Sequence, residues 1–271
     1  MTAVRPPVIF GRAHPAWPGP AAIRSVLVVL AVMMSSCAGP AVTPSTQATV
    51  QPAATIDEAK QANEWLSHYF ERPDPSGVPA QLARLDRSGT FQKPEAMAPL
   101  SAFFALLFRA NPGEVPGWAG DVTRFSESGR VVVWTALWYS KASTARGALE
   151  AAAAGERAEN RRRIEGLLVR DAPEISALPI NSPAVLDMLW GAFLASGDPI
   201  YVQRVITVLP DSEIPGWHGV IGLAAEWSLT GNAIQHPRVL QICEAEAARS
   251  EGATARILSG VIAKAKARSA K

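Results

Sequence analysis

Cysteine is almost missing from this chain: 271 residues hold only Cys37 and Cys243. Neither a disulfide framework nor a cysteine-based metal site can be built from that pair. Histidine is nearly as scarce, with four in all, and those after the first forty residues, His68, His218 and His236, stand far apart. There is no HExxH pair, no GxSxG elbow and no glycine-rich phosphate loop, so no metal, cofactor or catalytic residue is assigned from motifs. Charge of one sign is lacking too. Lys and Arg number 26 against 24 Asp and Glu, and Arg5, Arg12 and Arg24 lie before Cys37 while no acid precedes Asp57. The rest of the chain is therefore balanced and offers nucleic acid no electrostatic footprint.

A membrane-spanning run is also wanting near the amino terminus. Val26 to Met34 is apolar without a break, but nine residues rise only about 14 Å as a helix, against roughly 30 Å of hydrocarbon. An arginine, a short apolar stretch and small residues before a cysteine have the layout of a secretory signal peptide instead. The residues Met34, Ser35, Ser36 and Cys37 resemble the lipobox of bacterial lipoproteins. The resemblance implies a signal peptide over 1–36, acylation of Cys37 by diacylglycerol and a further fatty acid such as palmitate, and partnership with membrane lipid. Ala38 in place of Asp after the cysteine implies sorting to the outer membrane, facing the periplasm. Cleavage by ordinary signal peptidase near Ala38, or an uncleaved anchor, are the other readings of this stretch. Residues 37–55, rich in Pro, Thr and Ala and without charge or aromatics, read as a flexible tether spanning roughly 25 Å.

What is plentiful is apolar residues, 48% of the chain, at helical spacing. Residues 56–271 read as a single all-α domain. Thr55 and Glu58 have capping-box spacing, followed by Ala62, Trp65, Leu66, Tyr69 and Phe70 on one face. Further helices are expected around Val78 to Leu85, over Ala98 to Ala110, after Ser182-Pro183 and Asp198-Pro199, after Pro237, and around Ile257 to Ile262. Val131 to Trp134 would suit a strand, but no partner strand is legible, so it is read as helix. Residues from Ser143 to Arg170 predict one long or broken helix whose Arg161 to Arg163 run is a solvated face. Short turns between helices predict antiparallel hairpins, stacked as a right-handed α-α array or an irregular helical bundle. The spacing of 34 residues between Phe193 and Trp227 is similar to that of tetratricopeptide-like arrays, although their side-chain signature is not legible.

One word occurs twice: EVPGWAG at Glu114–Gly120 and EIPGWHG at Glu213–Gly219. Pro116 and Pro215 fit the first turn of a helix, so each copy reads as a joint from loop into a short helix, ending near Gly129 or Gly231, with its indole buried and Gly117 and Gly216 permitting close approach. The competing reading is a binding surface of Trp118, Trp217 and His218. His68 is read as a boundary residue, His236 as a helix cap and Cys243 as core. Two functions follow: a non-enzymatic, lipid-anchored envelope scaffold that binds a protein or polymer, or an envelope hydrolase using carboxylates such as Asp187 and Glu226, each close to a tryptophan.

Overall fold

PEAMAPLSAFFALLFRA places apolar side chains on every side of its helix, so this segment has to be surrounded. It is. In the computed structural model, which describes residues 53–120 and 122–269 with side chains of 57–120 and 122–268, helix α3 (Pro94–Ala110) makes its most extensive contacts with α5 (Glu127–Ser140) and α8 (Pro183–Ser196). Leu100, Phe103, Phe104, Leu107 and Phe108 are all but inaccessible. Gly191 of α8 lies against the backbone of Pro99, where a Cβ would sit 2.1 Å from the Pro99 carbonyl oxygen. Only a glycine lets the two helices cross that closely.

The described residues contain twelve α-helices and no strand, so the fold is all-α. Before α3 come α1 (Ala53–His68) and α2 (Val78–Arg87); after it, the short α4 (Val115–Gly120) precedes α5. Between α5 and α8 stands the hairpin of α6 (Ala145–Gly155) and α7 (Ala158–Leu168). Beyond α8 follow α9 (Pro199–Ile206), α10 (Trp217–Gln235), α11 (Pro237–Ala247) and α12 (Gly252–Ser269), with α10, α11 and α12 packed on one another. Residues close in sequence thus form hairpins, while α3 joins segments almost ninety residues apart.

Several boundaries differ from expectation for local reasons. Helix α1 starts at Ala53, inside the segment read as tether. The long alanine-rich helix breaks at Glu156 and Arg157, which are extended, and Arg161 closes the break by donating to the Ala153 and Glu156 carbonyls. The segment Val131–Trp134 is helical and its Val132, Val133 and Trp134 are buried. Its start is held by Asp86 at the end of α2, which accepts from the Ser126 backbone and hydroxyl, while the Ser126 oxygen caps Gly129 N–H. Its far end is held by Arg109 of α3, donating to the Tyr139 and Ser140 carbonyls. These two clamps explain why a β-prone sequence remains helical. Cys243 is fully buried, as read, and burial pushes its thiol up to about 12. No helix of the described residues is long and apolar enough to cross a membrane. The leader, Cys37 and the tether up to residue 52 lie outside the described residues.

Candidate functional site

The two heptapeptides do not share a conformation. In the first, Val115 to Gly120 form α4, and Trp118 is buried with its ring 5.9 Å from Phe108. That pair ends an aromatic ladder running from Trp65 and Tyr69 of α1 through Phe103, Phe104 and Phe108 of α3. Trp118 therefore belongs to the core and is no part of a binding surface. A six-residue helix also ends well short of the expected Gly129.

In the second copy, Leu209–Glu213 form a 3₁₀ turn, Ile214 is extended, and Gly216 has φ 90° and ψ −161° before α10 begins at Trp217. Trp217 is 57% exposed, and His218 beside it is exposed as well. The Trp217 indole N–H donates to the Asn181 carbonyl at 2.9 Å, which fixes the ring without covering it. The close approach expected at Gly117 and Gly216 is absent, because neither has a neighbour within 4 Å of a built Cβ. It occurs instead at Gly219 and Gly222, whose Cβ atoms would lie 2.1 Å from the Ile214 oxygen and 2.2 Å from the Ser212 nitrogen. The 3₁₀ turn folds down onto α10 over those two glycines. Helix α10 then runs past Gly231 to Gln235, farther than its glycines suggest.

That length creates a surface. The buried side of α10 carries Ile221, Ala225, Leu229 and Ala233. At three- and four-residue spacing on the opposite side stand Trp217, Val220, Leu223, Ala224 and Trp227, of which Leu223 is 54% and Trp227 50% exposed. Ile214 at the entry to the helix is also exposed. Spacing alone hides this stripe: α10 is apolar on nearly all sides, and such a helix ordinarily reads as core. Charged residues flank it, with Lys264 of α12 paired to Glu226 at 3.3 Å and Arg256 paired to Glu213.

At the far end of α10 lies a second cluster. His236 stands at the cap position between α10 and α11, but its side chain makes no capping hydrogen bond, and it is only 1% exposed. Neither of its ring nitrogens has a hydrogen-bond partner, an omission that costs about 1–3 kcal/mol for a buried polar group. Burial pushes its imidazole down to about 4, with the neighbouring His68 adding to the effect. The ring is therefore neutral at pH 7 and keeps a free lone pair. His68 ends α1 and faces it at 5.9 Å between centroids, while Phe70 packs on it at 5.8 Å. Glu71 accepts or shares a proton with His68 Nδ1 at 3.0 Å, and Glu64 approaches His68 Nε2 at 3.5 Å. His68 and His236 are 168 residues apart in the chain, so only the tertiary fold reveals the pair.

The carboxylates considered for hydrolysis have separate settings. Asp187 of α8 is pushed up to about 7 by burial, whereas Glu226 of α10 is tied to Lys264. No protein-family model, curated protein or solved structure matches the chain.

Proposed function

We propose that the chain is a bacterial envelope lipoprotein, anchored to the periplasmic side of the outer membrane through acylated Cys37, whose helical domain is a non-enzymatic scaffold for a partner protein. The observation that carries the scaffold reading is the stripe of Trp217, Val220, Leu223 and Trp227 on α10. A soluble helix gains nothing by presenting two indoles and a leucine to water along one line, whereas large exposed aromatics are the usual anchors of protein interfaces. The stripe also selects among polymers and proteins. Its aliphatic members, and its charges confined to the flanks, suit an apolar helix of a protein better than a glycan, which needs hydrogen-bonding groups beside each stacking ring. The anchoring half rests on the lipobox resemblance at Met34 to Cys37, with the tether giving the domain reach from the lipid surface.

Two measurements test the halves separately. Mass spectrometry of the membrane fraction should find an acylated Cys37 amino terminus in the wild type, and Cys37→Ser should release the protein; an unmodified terminus in the wild type ends the lipoprotein reading. A photo-crosslinking residue at Leu223 should form a defined adduct in cells, lost when Trp217 and Trp227 are changed to Ser. An adduct pattern no different from that of a crosslinker at exposed Arg162 of α7 would end the scaffold reading.

A further inference from the structure

Three features stand apart from the function just proposed: the raised Asp187 carboxyl, the inert buried thiol of Cys243, and the histidine pair where α1 meets the α10–α11 corner. The last brings potential ligand atoms together. One ring nitrogen from each of His68 and His236 and one carboxylate oxygen of Glu71 lie within 4.8 Å of one another. We infer that His68, Glu71 and His236 form a binding site for a divalent transition-metal ion of zinc type.

The donor set points to that class. Two imidazoles and a carboxylate suit a borderline cation such as Zn2+, while Mg2+ and Ca2+ prefer oxygen ligands throughout. In a four-coordinate zinc site with bonds of 2.0–2.1 Å the ligand atoms stand about 3.3 Å apart, so the cluster has to contract. The side chains with freedom to do so are the outer two: Glu71 and His68 are 35% and 39% exposed. His236 is the fixed member, held among Phe70 and the helix ends. It is also the one whose nitrogens no protein group satisfies. Its two neighbours in the cluster, by contrast, already point polar atoms at each other. A metal ion would give the buried imidazole the partner it lacks and place the positive charge beside Glu71.

Three protein ligands leave a fourth position for water, while Glu64, whose Oε1 is 3.5 Å from His68 Nε2, would meet the imidazole nitrogen turned away from Glu71 and orient the ring. Such an ion would tie the last residue of α1 to the corner between α10 and α11. The site is independent of lipid anchoring and of the α10 stripe, and nothing in its test depends on either.

The test uses the full-length chain, titrated with Co2+ as a spectroscopic probe and with Zn2+ in competition. The expected result is one ion per chain, a visible absorption band of four-coordinate cobalt that Zn2+ abolishes, and a rise in Tm with Zn2+ that a chelator reverses. His68→Gln and Glu71→Gln change half-exposed side chains and leave the metal-free Tm unaltered; each should weaken binding at least about tenfold. His236→Gln should abolish binding, but its burial makes His68→Gln and Glu71→Gln the deciding variants. Absence of saturable 1:1 binding, or an affinity unchanged in both His68→Gln and Glu71→Gln, overturns it.

Discussion

EVPGWAG and EIPGWHG differ at two of seven positions, yet one is a helical turn that buries its tryptophan and the other a non-helical entry, turned at a glycine, to a long helix. The cause lies outside the shared word. Three residues beyond Gly219 stands Gly222, and three beyond Gly120 stands Thr123. Gly222 lets the Asp211–Ser212 backbone settle within van der Waals reach of α10, where a side chain would collide with it. Thr123 cannot offer that surface; it lies instead in a 3₁₀ turn, Val122–Arg124, after α4 has ended. The preceding helix differs as well. Phe108 of α3 waits for Trp118, whereas Trp217 is held by the carbonyl of Asn181 and stays more than half exposed. A shared local code thus permits both geometries, and packing partners select between them.

The widest gap between the two copies should appear at their tryptophans. Trp118→Ala removes a buried indole from the end of the aromatic ladder and should cost about 3–5 kcal/mol. Trp217→Ala removes a ring that is more than half exposed and one hydrogen bond, and should cost about 1 kcal/mol or less. Urea unfolding of the two variants measures both. Equal losses would mean that the two indoles are buried alike, and the contrast drawn between the copies would be wrong.

A smaller effect tests the residue that separates the copies. Gly222→Ala places a methyl group 2.2 Å from the Ser212 nitrogen and 2.7 Å from the Asp211 carbonyl carbon. Backbone cannot yield as a flexible side chain does, so the cost should reach the upper part of the roughly 1–3 kcal/mol typical of overpacking. Its counterpart Thr123→Ala, at an exposed position, should stay within about 0.5 kcal/mol of zero. A neutral Gly222→Ala would show that the 3₁₀ turn does not rest on α10.

Much of the fold is legible without coordinates, because capping residues, prolines and apolar periodicity are local signals. Ser182-Pro183 and Asp198-Pro199 open α8 and α9 as their chemistry dictates, and Asp198 caps its helix by accepting from Ile200 N–H. What the chain does not disclose is which helices meet. Nothing local in α3 says that Pro99 will lie against Gly191, and nothing local in His68 says that it will face His236. The exposed stripe of α10 is hidden for another reason: with apolar residues all round, the helix gives no sign of which side will be left uncovered. Trp217 and His218 could be named from the repeated word, whereas Leu223 and Trp227 emerge only once the buried side of α10 is known. Placing Trp118 on the same surface follows from treating the two copies as equivalent, which their surroundings forbid.

The mildest test is also the most direct comparison, since it makes one substitution at the same place in each copy. Gly216 occupies φ 90° and ψ −161°, a region that a side chain enters only with strain. Gly216→Ala should therefore cost about 1–2 kcal/mol, although no atom lies within 4 Å of the new methyl. Gly117 also has open space around a built Cβ, but it lies inside α4 and has no positive φ. There alanine restricts the unfolded chain more than the folded one, so Gly117→Ala should stabilise by about 0.5–1 kcal/mol. Opposite signs for one substitution at equivalent positions, read as shifts of Tm in opposite directions, can arise only from backbone conformation, because neither methyl has anything to touch. Shifts of the same sign would mean that the shared word takes one conformation in both places after all.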